Sequence, residues 1–372
     1  MFTYERLFQQ QFDIIAQLRQ EFTGLFQVTD VRASERGDWV MFVGRLARDD
    51  ESVYDALRER FKRLGYTLIL RHEDGNDIVV AQRGLLPIAR FNPLINIALL
   101  AATLLTTLFA GASFAGVEPM AALRAVWVRG DWLRLVEALM AGAPFAFTLL
   151  FILGVHEMGH YLAGRLHGVQ VSLPYFIPVP FGLGTFGAFI QMKSPVENRK
   201  ALFDVGVAGP LAGFAVAVPL MIIGLLFSQV VPASVGEARM GASLLVRGLL
   251  EIFVPHAANE AVRLSPIAIA AWFGLLVTAI NLLPMGQLDG GHIAYAVLGK
   301  SARALSMVTF MGAIILGFTA WSGWWTWALF ALLTGLSHVK PLNDITPLDW
   351  PRRLVGLMTL GVFFLLITPR PF

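Results

Sequence analysis

The sequence predicts an all-α polytopic membrane protein of about seven transmembrane helices, with a small soluble α+β domain at its N-terminus. Three observations carry this. Of 372 residues, 56% are hydrophobic and only 15% charged, more apolar surface than a soluble globule can hide. Roughly half of the charged residues fall before residue 85. From Phe91 onward, uncharged stretches recur at lengths that cross a hydrocarbon core of about 30 Å. The composition also excludes chemistry. The chain has no cysteine, which removes disulfides, thiolate metal sites and thiol nucleophiles. The net charge of +3 is not gathered into a stripe that could track nucleic acid, so no nucleic-acid partner is expected.

Residues 1–84 read as the soluble domain. Met1 to Gln20 has helical spacing, with Phe2, Leu7, Phe12, Ile15 and Leu18 on one face. Leu25–Val31 and Trp39–Leu46 alternate as strands do, and Ser52–Leu64 is a second amphipathic helix. Thr67–Arg71 and Asp77–Gln82 flank a loop at His72–Asn76, whose Asp74-Gly75 pair signals a hairpin. Glu5 and Arg6, with no short apolar core beside them, argue against a signal peptide.

Residues 85–372 read as a membrane-embedded domain with its core at about 91–349. Phe91–Ala112 carries no charge, and further spans are expected at Ala143–Arg165, Val205–Gln229, Ser265–Leu288, Ala304–Ala320, Trp324–Ser337 and Leu354–Thr368. Trp321, Trp324, Trp325 and Trp327 suit an interfacial belt. An N-terminus on the inner side places most short-loop cations there, among them Arg165, Lys193, Arg199, Lys200, Arg352 and Arg353.

The second span contains Gly154-Val155-His156-Glu157-Met158-Gly159-His160-Tyr161, an H-E-x-x-H pattern. On a helix, positions i and i+4 lie about 40° apart, so both imidazoles share a face and can hold one tetrahedral zinc. Glu157 points about 100° further round, placed to take a proton from a water at the metal rather than to bind it. Composition alone would produce such a pattern about 0.009 times in this chain. His and Glu in a span cost a few kcal/mol each and usually serve a function. The plain alternative is a polar helix-packing cluster.

A third ligand is then expected at membrane depth. The fourth span ends in Asn281-Leu282-Leu283-Pro284-Met285-Gly286-Gln287-Leu288-Asp289-Gly290-Gly291-His292. Pro284 breaks the helix and frees backbone groups that only a protein-lined cavity or water can satisfy. Asp289 can supply a carboxylate, and Asn281 a hydrogen-bond donor to a developing oxyanion. Asp289-Gly290-Gly291 could also be an ordinary helix-ending turn at the membrane surface.

Together, the H-E-x-x-H helix and the later N-x-x-P-x-x-x-x-D-G segment resemble the site-2 protease family of intramembrane zinc metalloproteases, over about Phe91 to Asp349. The resemblance implies one Zn2+ per chain bound by His156, His160 and Asp289, with Glu157 as general base. It also implies an active site inside the membrane, nearer the cytosolic side. Pro180–Ile190 resembles the family's G-x-x-G-A segment, which in extended form offers backbone groups to an unwound substrate. Asn198–Asp204 and Ala208-Gly209-Pro210-Leu211-Ala212-Gly213 are most similar to the cyanobacterial and chloroplast branch; their glycines suit close helix packing.

The activity implied is hydrolysis of peptide bonds within or near transmembrane segments, as in regulated intramembrane proteolysis. The partners implied are single-span membrane-protein substrates and the lipid bilayer. The expected location is a multi-pass position in a prokaryotic cell membrane, with the N-terminal domain cytosolic. Two readings compete with a protease: a catalytically silent metal-binding scaffold, and a zinc or proton transporter using the same residues as a path. An intact Glu157 speaks against the scaffold, because only catalysis needs it.

Overall fold

Alternation of apolar and polar side chains builds four strands near the N-terminus: β1 (Phe26–Ala33), β2 (Trp39–Leu46), β3 (Tyr66–Glu73) and β4 (Asn76–Arg83). They form an antiparallel sheet in the order β1-β2-β4-β3. The computed structural model describes residues 12–34, 37–48, 51–85, 91–232, 240–257, 259–336 and 340–372. Helix α1 (Glu51–Arg63) joins β2 to β3 and buries Val53, Tyr54, Leu57 and Phe61. This is the stripe that helical periodicity places on one side. Residues 12–20 are helical; the earlier part of the helix expected from Met1 lies outside the described residues. Leu18, Phe22, Phe42, Leu57, Phe61 and Val79 close the core, and Phe22 meets Phe42 edge-on at 4.7 Å between ring centres.

The hairpin between β3 and β4 is tighter than the sequence suggests. His72 pairs with Asp77 and Glu73 with Asn76, so the connection is Asp74-Gly75 alone. Both residues have positive φ, 51° and 77°, as a two-residue turn that follows the right-handed twist of its strands requires.

The chain folds as two compact units, and the first also contains residues 194–202 and 339–349. Leu70 of β3 donates to the Leu342 carbonyl at 2.8 Å, and Asp344 donates back to Leu70 at 3.2 Å. Leu342 in turn donates to the Val196 carbonyl at 2.9 Å. Ion pairs join the same pieces, Lys200 to Glu51 at 2.6 Å and Arg199 to Asp344 at 2.9 Å. Residues 196–198 and 342–344 therefore continue the hydrogen bonding of the sheet beyond β3.

The second unit is helical. It runs through α2 (Pro93–Phe114), α3 (Pro119–Arg129) and α4 (Trp132–Leu166) to the hairpin β5 (Tyr175–Pro178) and β6 (Thr185–Phe189). Helix α5 (Arg199–Leu226) enters it at Phe203. Then come β7 (Gln229–Pro232), α6 (Leu244–Phe253), β8 (Glu260–Arg263), α7 (Pro266–Asn281) and α8 (Asp289–Leu298). The last three are α9 (Ala302–Thr319), α10 (Trp324–Thr334) and α11 (Trp350–Leu366). Phe145, Leu149, Ile152, Ala217, Met221, Ala271 and Leu275 form its core.

Among the described residues, four helical stretches are long and apolar enough to cross a membrane: Pro93–Phe114, Trp132–Leu166, Arg199–Leu226 and Asp289–Thr319. Pro266–Asn281 and Trp324–Thr334 are apolar but shorter. These four long stretches and the shorter helices stand where about seven spans were expected. The span expected at Ser265–Leu288 stops as a helix at Asn281, three residues before Pro284, and α8 opens at Asp289. The span expected from Ala143 begins at Trp132 and runs for 35 residues despite Pro144. Trp324 is buried, and its indole nitrogen donates to the Pro369 carbonyl at 2.8 Å.

Candidate metal centre

Helix α4 places His156 and His160 one turn apart, both buried with Glu157 between them. Asp289 arrives from the first turn of α8. His156 Nε2 and His160 Nε2 lie 3.3 Å apart, and Asp289 Oδ2 is 3.3 Å from each. The three donor atoms therefore make a nearly equilateral triangle. A tetrahedron with metal–ligand bonds of about 2.05 Å, the usual zinc–nitrogen and zinc–oxygen length, has edges of about 3.3 Å. Two imidazoles and a carboxylate are also the donor chemistry of open, catalytic zinc sites. The donor set fits zinc in number, type and spacing. Among the described residues it is the one His/Asp/Glu group close enough to hold a metal.

The backbone completes the arrangement. His160 Nδ1 donates to the Val205 carbonyl at 2.6 Å. A carbonyl can only accept, so this bond puts the proton on Nδ1 and leaves the Nε2 lone pair facing the triangle. Glu157 is 6% exposed, and the Ile190 backbone, just beyond β6, lies close to its carboxylate. Asn281, the last residue of α7, sets its amide nitrogen 3.3 Å from His156 Nε2. Its side chain reaches the same point as the triangle.

Helix α5 backs the histidines so closely that it has no room for side chains. A Cβ on Gly209 would lie 2.0 Å from His160 Nε2, and one on Gly213 would lie 3.0 Å from His156 Nδ1. The glycines read from the sequence as packing residues thus pack on the two imidazoles themselves.

At the end of α4, His167 Nε2 meets Asp204 Oδ2 at 2.8 Å. Arg352 of α11 forks onto the same carboxylate, Nε at 2.7 Å and Nη2 at 2.6 Å. Asp204 precedes Val205, so the pair sits one residue from the carbonyl that orients His160. The role of Val205 was not legible, because backbone groups carry no residue signature. His292 faces Gly206 and is outside the donor triangle.

A family model for peptidase family M50 matches residues 144–319. The chain is 36% identical over 241 residues to "Probable zinc metalloprotease EGY1, chloroplastic" of Arabidopsis thaliana, covering 61% of this chain and 43% of the relative. With "Probable zinc metalloprotease EGY2, chloroplastic" of the same plant it shares 33% identity over 246 residues, 64% of this chain and 43% of the relative. "Probable zinc metalloprotease EGY3, chloroplastic" of Oryza sativa subsp. japonica is 28% identical over 373 residues, 92% of this chain and 62% of the relative. The chain spans less than half the length of the first two relatives. The relatives' chloroplast assignment lends no support to the expected prokaryotic cell membrane. No solved structure matches the chain. The matched region contains the H-E-x-x-H helix, Asn281 and Asp289, so the part of the chain that carries the donor triangle is similar to peptidase family M50, the site-2 protease family, and to chloroplast zinc metalloproteases.

Proposed function

We propose that the protein is an intramembrane zinc metalloprotease that hydrolyses peptide bonds within or near the transmembrane segments of single-span membrane proteins. The observation that carries this is the triangle of His156 Nε2, His160 Nε2 and Asp289 Oδ2 with 3.3 Å edges beside the buried Glu157. Zinc held by these three atoms would supply Lewis acidity to a water and to the scissile carbonyl.

The remaining chemistry falls to the chain. Glu157 does not share the triangle, so its carboxylate is available to take a proton from the attacking water and return it to the departing amide nitrogen. Asn281 Nδ2 can donate to the carbonyl oxygen as charge develops on it. A helical substrate buries its amides, so it must unwind before cleavage. The β5–β6 hairpin is a two-stranded sheet, and the outer edge of β6 can pair with the unwound segment by strand addition. Residues 1–84 face the cytosol in this reading, as the short-loop cations favour.

Metal content is the test. Purified chain should carry about one zinc, and Asp289→Ala and His156→Ala should each lose it, because three protein ligands are the usual minimum for a catalytic site. Zinc binding indifferent to Asp289 would break the proposed centre. Glu157→Gln that binds zinc yet cleaves a transmembrane substrate at the native rate would favour a different base.

A further inference from the structure

Where α4 carries the two imidazoles, its contact with α5 has almost no side chains. A Cβ on Gly159 would lie 2.6 Å from the Ala208 carbonyl oxygen, and Gly209 and Gly213 sit against His160 and His156. Helices fix their position along one another through side-chain ridges set into grooves. A contact this smooth has few ridges, so directional bonds must set that position. Two hydrogen bonds cross from one face of α4 to adjacent residues of α5. The first joins His160 Nδ1 to the Val205 carbonyl at 2.6 Å. The second joins His167 Nε2 to Asp204 Oδ2 at 2.8 Å.

His167 stands seven residues after His160, within about 20° of the same side and about 10.5 Å further along. Its backbone N–H still donates to the Ala163 carbonyl at 3.1 Å, so it keeps the direction of the helix. Asp204 is itself held, because Arg352 of α11 donates to it through Nε at 2.7 Å and Nη2 at 2.6 Å. A forked, charge-assisted pair of this kind fixes the orientation of a carboxylate. Asp204 lies outside the donor triangle, so any effect on the metal must pass through its neighbour's carbonyl. We propose that Asp204 is a positioning residue of the metal centre, which with His167 and Arg352 fixes α5 along α4 so that the Val205 carbonyl meets His160 Nδ1. Such a centre needs its ligands held to about 0.5 Å, and an imidazole without a partner at Nδ1 is a poorer ligand at Nε2. This rests on the reading that the triangle holds zinc, and it gives a part in that site to three residues that are not ligands.

The test is zinc affinity of the full-length chain in nanodiscs, measured by competition with a chromogenic chelator. The visible bands of the cobalt(II)-loaded protein report ligand geometry alongside it. Asp204→Ala and His167→Ala should each weaken zinc binding about tenfold, the lower end for loss of an outer partner of a ligand, and shift the cobalt bands. The double variant should lose no more than either alone, since both remove one bond. His167→Gln, whose amide nitrogen can reach Asp204 as Nε2 does, should restore native affinity; with His167→Ala it carries the test if Asp204→Ala does not fold. Arg352→Ala should also weaken zinc binding, whereas mere removal of a nearby positive charge would tighten it. Ser243→Ala is the control. Ser243 caps α6 by accepting from the Val246 N–H at 3.3 Å, so its loss lowers the thermal midpoint and should leave zinc affinity and the cobalt bands unchanged. A native chain that binds no zinc would remove the triangle and this role together. Native zinc binding that is unaltered in His167→Ala, tightened in Arg352→Ala, or weakened as much in Ser243→Ala would overturn the positioning role alone.

Discussion

At the scale of single residues, the centre depends as much on small side chains as on ligands. Gly209→Val should cost the protein its zinc while leaving every proposed ligand in place, because the new Cβ would fall 2.0 Å from His160 Nε2. Zinc per chain, measured by mass spectrometry, should drop well below that of the native protein. Glu157→Gln should behave in the opposite way, with zinc retained and cleavage of a transmembrane substrate reduced about 10²- to 10⁴-fold, the range for a lost general acid–base. The glutamine keeps the shape but cannot carry the proton. A variant that lost metal and cleavage together would give Glu157 a structural part instead.

At the scale of elements, the Asp204 carboxylate ties the end of α4 to α5 and α11 through His167 and Arg352. Arg352→Ala removes a forked, charge-assisted pair whose side chains are only 26–28% exposed. The expected loss is about 1–2 kcal/mol, read as a lower thermal midpoint. Asp204→Asn should cost a similar amount, and the double variant less than the sum of the two, since both break the same bond. In the first unit, Gly75→Val should destabilise by about 1–2 kcal/mol, because a branched side chain is forced into positive φ. Urea unfolding followed by circular dichroism would show it.

These elements also show what sequence could and could not give. Trp39–Leu46 alternates cleanly and is a strand over those residues. H-E-x-x-H fixes its own geometry, because helical repeat alone brings i and i+4 together. Asp289 could be singled out but not joined to His156, since nothing local spans 133 residues. Helix α4 begins eleven residues before the expected span, because hydropathy marks where lipid could lie and not where hydrogen bonding starts. The pairing of β3 with residues 342–344 was invisible, since backbone ladders between distant segments leave no pattern in either.

At the scale of the whole molecule, residues 1–84 cannot be removed without consequence to the rest of their own unit. Residues 194–202 and 339–349 fold with them, and the backbone bonds from Leu342 to Leu70 and the Lys200–Glu51 pair vanish on truncation. A chain starting after residue 84 should be cut by added protease at 194–202 and 339–349 far faster than the native protein. Unchanged resistance there would mean that those segments hold their shape alone.

The 133-residue gap between His156 and Asp289 has a meaning for biosynthesis. A ribosome adding about 5–20 residues per second delivers the two histidines some ten seconds before the carboxylate that completes the triangle. During that interval the nascent protein holds an incomplete ligand set, too weak for stable metal capture. On the proposed function, the new chain therefore stays inert until α7 and α8 have joined α4, and arming comes late in assembly by virtue of chain order alone.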